Sequence, residues 1–344
     1  MDLLQLKVRA IIPETTDTIT MVLESNDGKK INYQAGQFLT FIFNHGDKEI
    51  RRSYSFSSTP GTDDFPAITI KRITNGEISR FLQEQIKKGD YLTSLQPSGR
   101  FTIETDKNAS REIFFITAGS GISPVFSLLK KILVEEPMTK IFLIYQNHDE
   151  NNIIFKKQLE GIEKKYPQQL KWINLLSKPK KHPHNSHRLT NILLEKIVLS
   201  NLSTNKKALF YLCGPAILMR MAQFTLRLMG FPDDSIRREN FTVEFIPPAP
   251  LISDITPRQA IIHYQQHEHI ITVTYPDNIL QAALNNNIQL PYSCRGGRCS
   301  TCVAKLLNGK IKMSINEVLT DKDLEQGLVL TCVGYAESDI ELVF

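Results

Sequence analysis

Four of the chain's five cysteines, Cys294, Cys299, Cys302 and Cys332, fall in its last quarter. The first three are spaced C-x4-C-x2-C within PYSCRGGRCSTC, and twenty-nine residues separate Cys302 from Cys332. Four ligands to one centre dictate which loops must meet, so no other feature restricts the fold of a segment as tightly. Thiolates bind iron, and this is a spacing used to hold a [2Fe–2S] cluster. The small residues Gly296, Gly297 and Ser300 let backbone N–H groups turn toward bridging sulfides without side-chain clash. Structural zinc usually takes two CxxC-like pairs, and only Cys299 and Cys302 form one. All four cysteines are therefore expected to be metal ligands.

Disulfides are the other rival. The opening MDLLQLKVRAIIPETTDTITMVLES alternates like strands and lacks a basic segment followed by an apolar one. With no run of 18 apolar residues either, the chain is expected in the cytoplasm, off the membrane, where disulfides are rare. The net charge of +5 is modest and its charges are dispersed, which argues against nucleic-acid binding.

At 344 residues the chain exceeds one ordinary core. The clearest seam is FIPPAPLISDITP, residues 245–257, whose four prolines make a semi-rigid linker. Before residue 107, short alternating runs (LQLKVRAII, TITMVLES, QFLTFIF, AITIKRI) and one helix-like run, ISRFLQEQIKK, predict an antiparallel β-barrel with one helix. From about residue 110, apolar strands EIFFITAG, KIFLIYQ, LKWINLLS and ALFYLCG alternate with helical patterns. Those patterns are SPVFSLLKKILVEE, FKKQLEGIEKKY and PAILMRMAQFTLRLMG. Such alternation predicts a doubly wound α/β domain, with ligands beyond the carboxyl ends of its strands. The expected division is 1–106, 107–245, a linker at 246–257, and 258–344.

Two turns lie at those strand ends. In ITAGSGISP, Gly119, Ser120 and Gly121 precede a helix with Pro124 in its first turn, an arrangement suited to phosphate and equally to a plain tight turn. YLCGP repeats the pattern around Cys213, which by default is a buried, inert thiol. In RRSYSFSS, a strand would put Arg52 and Tyr54 on one face and Ser53 and Ser55 on the other. This run serves a ligand or is an ordinary exposed strand. LSKPKK supplies Ser177, Lys178, Lys180 and Lys181, a 2′-phosphate site in one reading and a solvated basic loop in the other. The histidines of HPHNSH (182–187) and HYQQHEH (263–269) are expected on the surface.

Together these pieces resemble the ferredoxin–NADP reductase superfamily, and the resemblance runs in order over some 200 residues. RSYS at 52–55 is similar to its flavin motif, which implies Arg52 on the flavin phosphate and Tyr54 on the isoalloxazine. IKR (Ile70, Lys71, Arg72) and GEIS (Gly76, Ile78, Ser79) resemble its second flavin segment, where backbone and Ser79 would hold the pyrophosphate. AGSGISP resembles the nicotinamide-nucleotide loop of Gly119, Ser120, Gly121 and Pro124. YLCGP with Met219 resembles the late strand that sets Cys213, Gly214 and Pro215 near the nicotinamide. ENF, with Glu239 and Phe241, resembles the Glu-x-Phe segment near the flavin. Tyr54, Ser55, Ser120, Cys213 and Glu239 would then line the hydride site.

One departure bears on the adenosine end: YQNH stands at 145–148 where relatives often carry YGNR. The donor is accordingly NADPH or NADH, with Ser177 and Lys178 as the candidate phosphate contacts.

The tail resembles plant-type ferredoxins, an α+β β-grasp fold. Flavin barrel, nucleotide domain and ferredoxin are ordered as in reductase components of bacterial oxygenases, those of phenylacetyl-CoA epoxidase systems above all. Phthalate-dioxygenase-type reductases share the order but bind FMN. The segment from GEIS to KKGDYLTSLQPSGRF looks more like the FAD group. The resemblance implies electron flow from NAD(P)H to FAD, to [2Fe–2S], to a protein acceptor. That acceptor would be an oxygenase component or, alternatively, a ferredoxin, flavodoxin or hybrid-cluster-type partner.

Overall fold

A computed structural model describes residues 3–45, 48–181, 186–203, 208–241, 248–251 and 254–344. Residues 182–185 of the first histidine run, and 246, 247, 252 and 253 of the proline-rich linker, lie outside the described residues. The chain forms two compact units. One comprises Leu4–Glu49 and Ser53–Phe241, and the other Met1–Leu3, Ile50–Arg52 and Thr242–Phe344.

The first sheet runs through β1 (Leu4–Thr15), β2 (Thr18–Ser25), β3 (Phe38–His45), β4 (Lys48–Ser55), β5 (Ala67–Lys71) and β6 (Tyr91–Ser94). Its order is β4-β3-β6-β1-β2-β5. The two ends approach through an antiparallel bridge from Phe56, just past β4, to Ile68 of β5, which curls the sheet into a barrel. Helix α1 (Glu77–Glu84) is shorter than the helix-like run suggested and ends at Gln85, before the lysine pair of QIKK.

The second sheet is wholly parallel in the order β11-β10-β7-β8-β9. Its strands are β7 (Glu112–Ala118), β8 (Lys140–Asn147), β9 (Leu170–Leu176), β10 (Ala208–Cys213) and β11 (Ile236–Glu239). Apolar side chains alternate between its faces, as period-two geometry demands. Phe115, Leu143 and Tyr145 pack with α2 (Ile122–Glu135) and α3 (Lys156–Lys165). Phe114, Ile144 and Phe210 pack with α4 (Asn191–Asn201) and α5 (Ala216–Leu228). Burying one such side chain contributes roughly 1.5–3 kcal/mol, so both helix layers are needed to cover the sheet. The order reverses between β7 and β10. That switch point opens a crevice at the strand ends carrying the two glycine turns.

In the second unit, the mixed sheet β13-β12-β18-β14-β16 wraps around α6 (Ile279–Asn285), whose Ile279, Leu280 and Ala283 are buried in its core. Its strands are β12 (Arg258–Tyr264), β13 (His267–Val273), β14 (Val303–Asn308), β16 (Leu328–Leu330) and β18 (Ile340–Val343). A two-stranded ribbon of β15 (Ile311–Met313) and β17 (Gly334–Ala336) and the short α7 (Asp321–Glu325) complete it. The parallel β12–β18 pair beside antiparallel neighbours gives the β-grasp arrangement. Among the described residues, no helix is long and apolar enough to cross a membrane.

Candidate functional site

At the switch point the ends of β7, β10 and β11 lie side by side, pairing Thr117 with Cys213 and Cys213 with Glu239. Thr117 Oγ1 donates to the Cys213 carbonyl at 2.7 Å. Gly121 sits so close that a Cβ there would lie 2.1 Å from the same oxygen, so no larger residue fits. Tyr145 Oη donates to the Gly119 carbonyl at 3.1 Å, and Ser123 Oγ to that of Ser120 at 3.0 Å. Pro124 is buried in the first turn of α2. The turn is thus braced from three strands. Gly214 lies over Ala118, Pro215 caps α5, and Met219 is buried beneath the second turn.

The barrel contributes Ser55. Its hydroxyl donates to Glu239 Oε2 at 3.0 Å, across 184 residues of sequence. Burial pushes the Glu239 carboxyl up to about 8, partly opposed by the Ser55 hydrogen bond. Burial also pushes the Cys213 thiol well up, reinforced by Glu239. At neutral pH both groups are uncharged. Phe241, just beyond, is 45% exposed.

On β4, Ser55 is buried and Arg52 exposed, while Tyr54 is half-buried with its ring 6.1 Å from that of Phe41. Arg52 donates to the Arg51 carbonyl at 2.8 Å, and Ser53 Oγ lies 2.9 Å from Thr40 Oγ1. On β5, Ile70 is buried. Lys71 lies 3.5 Å from Asp17, and Arg72 pairs with Glu84 at 2.7 Å. Gly76 caps α1, with Ile78 and Ser79 buried behind it. Ser79 Oγ accepts from Ile73 N–H at 3.1 Å and gives its one proton to the Gly76 carbonyl at 3.2 Å. In this arrangement the hydroxyl shapes the 73–79 turn.

Ser177 and Lys178 continue β9 alongside β8, donating to the Asn147 and His148 carbonyls at 3.0 and 2.7 Å. Farther on, Glu150 and Asp149 engage Lys180 and Lys181, contacts invisible as sequence except for the acidic pair directly after a strand end. Thr117 was also overlooked, although it is the lone hydroxyl inside the apolar run EIFFITA.

In the other unit the cysteine loop bends through Arg295, Gly297 and Ser300, all at positive φ. A Cβ on Gly297 would lie 2.8 Å from Ile315. Cys294 contacts Cys299 and Cys332 through sulfur hydrogen bonds, and Cys332 also meets Cys302. Those thiols, with the Gly296 N–H 3.3 Å from its sulfur, hold Cys294 low, as a thiolate. Among the described residues no three His, Cys, Asp or Glu side chains converge on one ion. A binuclear cluster instead spreads its four ligands over two irons. Ser300 Oγ is buried without a partner in the protein, and its proton is of the kind a cluster sulfur accepts. The donor set and the loop fit a [2Fe–2S] cluster. His263 of the second histidine run bonds Glu341 at 2.8 Å.

Comparison with known proteins agrees domain by domain. Residues 4–103 match the oxidoreductase FAD-binding domain, 115–224 the oxidoreductase NAD-binding domain, and 262–337 the 2Fe-2S iron-sulfur cluster binding domain. The cofactors are therefore FAD, NAD(P)H and [2Fe–2S]. The ferredoxin reductase component of 3-ketosteroid-9-alpha-monooxygenase from Mycolicibacterium smegmatis is 32% identical, covering 98% of this chain and 95% of that protein. One of the subunits of 1,2-phenylacetyl-CoA epoxidase from Escherichia coli is 30% identical, covering 95% of this chain and 93% of that one. Phthalate dioxygenase reductase shares the fold, with a TM-score of 0.59 at 20% identity over 99% of this chain and 97% of that one.

Proposed function

Because the chain belongs to the ferredoxin–NADP reductase superfamily, in the branch with a C-terminal [2Fe–2S] domain, we propose that it delivers NAD(P)H electrons to an oxygenase component. The first candidate is a ring-oxidising epoxidase of the phenylacetyl-CoA type. The observation that carries this reading is the 30% identity to a subunit of that system over nearly the whole of both chains. The 32% identity to a steroid monooxygenase reductase supports a second oxygenase as the competing partner.

Bound in these domains, FAD would supply hydride acceptance from NAD(P)H, and a [2Fe–2S] cluster held by the four cysteines would supply one-electron transfer. The chain's own residues position and insulate. Arg52 would pair with the flavin phosphate, Tyr54 would pack on its ring, and the turn shaped by Ser79 would offer N–H groups of residues 77–79, in the first turn of α1, to the pyrophosphate. The bracing of Gly119, Ser120 and Gly121 would fix the nicotinamide nucleotide against Cys213. Neutral Cys213 and Glu239 would keep net charge away from the transferring hydride, and Ser55 would orient the Glu239 carboxyl. Cys294, Cys299, Cys302 and Cys332 would ligate the irons. We assign the flavin, nucleotide and cluster functions to 1–106, 107–245 and 258–344.

Reconstitution separates the partners. The reductase is mixed with the oxygenase subunits of a phenylacetyl-CoA epoxidase or of a ketosteroid monooxygenase, and product is measured per NAD(P)H consumed. Tight coupling with the epoxidase supports the first candidate. Coupling with the steroid enzyme alone would replace it, and uncoupled oxidation with both would point to the ferredoxin, flavodoxin or hybrid-cluster-type alternative.

A further inference from the structure

Helices α4 and α5 lie side by side on one face of the parallel sheet, with Leu194, Val198, Ala222 and Leu226 among the residues they bury there. One enters and the other leaves the parallel strand β10, so the two run in the same direction. The outer side of helices that cover a sheet is ordinarily polar. Here it is not. Ile192 and Leu199 of α4, and Ile217, Phe224 and Leu228 of α5, are each between 61% and 82% exposed.

Their spacing makes a pattern. On α5, Ile217, the half-buried Met221, Phe224 and Leu228 follow at intervals of four, three and four, the period of a coiled-coil seam. This stripe is separate from the one that α5 buries in the sheet through Leu218, Ala222 and Leu226. On α4, Ile192 and Leu199 stand seven apart, two turns along the side opposite Leu194, Ile197 and Val198. Single exposed apolar residues are ordinary, but two adjacent helices that each present a stripe form a patch of the kind that marks an interface.

We propose that the α4–α5 face is covered by a second copy of this chain, the two faces meeting about a two-fold axis. The area fits that occupant. A standard interface buries about 800 Å² per partner, about 65% of it apolar in homodimers. The five exposed side chains present on the order of 500 Å² of apolar surface, which is that share. An electron acceptor that leaves after each delivery needs a smaller face, no more apolar than the rest of a surface. The charges beside the patch, Glu195 and Lys196 on α4 and Arg220 on α5, are of both signs and all exposed. They therefore create no field for an anionic membrane or a strongly charged partner. A two-fold contact uses the same patch on both sides, and helices bearing stripes of this period pack against one another as in a bundle.

Sedimentation equilibrium of the holoprotein at micromolar concentration tests the proposal. The wild type should be a dimer. Phe224→Asp and Leu228→Asp, in the later turns of α5 and away from the 213–215 turn, should each raise the dimer Kd at least about hundredfold. The introduced carboxylate is solvated in the monomer and buried unpaired only in the dimer. Flavin content, iron content and ferricyanide reduction by NAD(P)H should stay at wild-type levels, which separates dissociation from misfolding. Val134→Asp, an exposed position on α2 in the opposite helix layer, should remain dimeric. A monomeric wild type would overturn the proposal, including one that binds oxygenase subunits through this face and loses them in Phe224→Asp. A dimer unmoved by both stripe variants, or dissociated as readily by Val134→Asp, would overturn it too.

Discussion

Glu239 is an acid kept neutral by its surroundings. Its folded value of about 8 lies above the ordinary 4.5, so the native state holds a proton that the unfolded chain releases. The associated stability is full below pH 4.5, is lost as pH rises toward 8, and then levels off. Each unit of that interval is worth about 1.4 kcal/mol at most. Glu239→Gln has no such proton, so its urea midpoint should fall less steeply between pH 5 and 8 than the wild type's. Parallel profiles would refute the buried-acid account. The residues of this cluster were legible as motifs, because RSYS, YLCGP and ENF each carry a recognisable pattern. Their meeting was not. Nothing in sequence says that Ser55 bonds Glu239, since the bond joins a barrel strand to the last strand of another sheet. Nor does any motif encode the bond from the Ser79 hydroxyl to the Gly76 carbonyl, a detail of turn geometry.

Elements were legible where their hydrophobic period was clean. Strands β7, β8, β9 and β10 of the parallel sheet and helices α2, α3 and α5 stand where their apolar spacing put them, whereas β11, with the sequence IRRE, has no apolar run to announce it. Helix α4 was missed because its apolar residues go all the way round. Leu194, Ile197 and Val198 are buried, but Ile192 and Leu199 are mostly exposed, so no stripe separates helix from strand. Its one clear signal was Thr190, whose side chain accepts from Leu193 N–H as an N-cap. The hairpin of β12 and β13 also lacked a signal. Gln265 and Gln266 both take positive φ at its two-residue turn, where Asn-Gly is usual. The strand–turn–helix unit from β7 to α2 carries its own prediction. With a Cβ set 2.1 Å from the Cys213 carbonyl and 2.6 Å from its carbon, Gly121→Ala must push two strand ends apart. A loss of roughly 1–3 kcal/mol is expected by urea unfolding, together with weaker nucleotide binding. An unchanged midpoint would mean that the turn tolerates a side chain.

At the scale of the molecule, one chain joins a carrier of electron pairs to a carrier of single electrons. The domain order was readable because each domain announces itself differently: alternating strands, then strand–helix alternation, then cysteine spacing with a proline-rich seam before it. The acceptor was not readable, since recognition of a partner is a property of surfaces with no spacing rule. The central claim is that electrons from a nicotinamide nucleotide reach the [2Fe–2S] cluster through the flavin of the same chain. The most direct measurement is anaerobic addition of NADH or, in parallel, NADPH to the purified holoprotein, followed by optical and EPR spectroscopy. The account predicts bleaching of the flavin band together with the EPR signal of a reduced [2Fe–2S] cluster, at about one spin per chain for one cluster per chain. Flavin bleaching with no cluster signal, from protein that contains its iron, would contradict it.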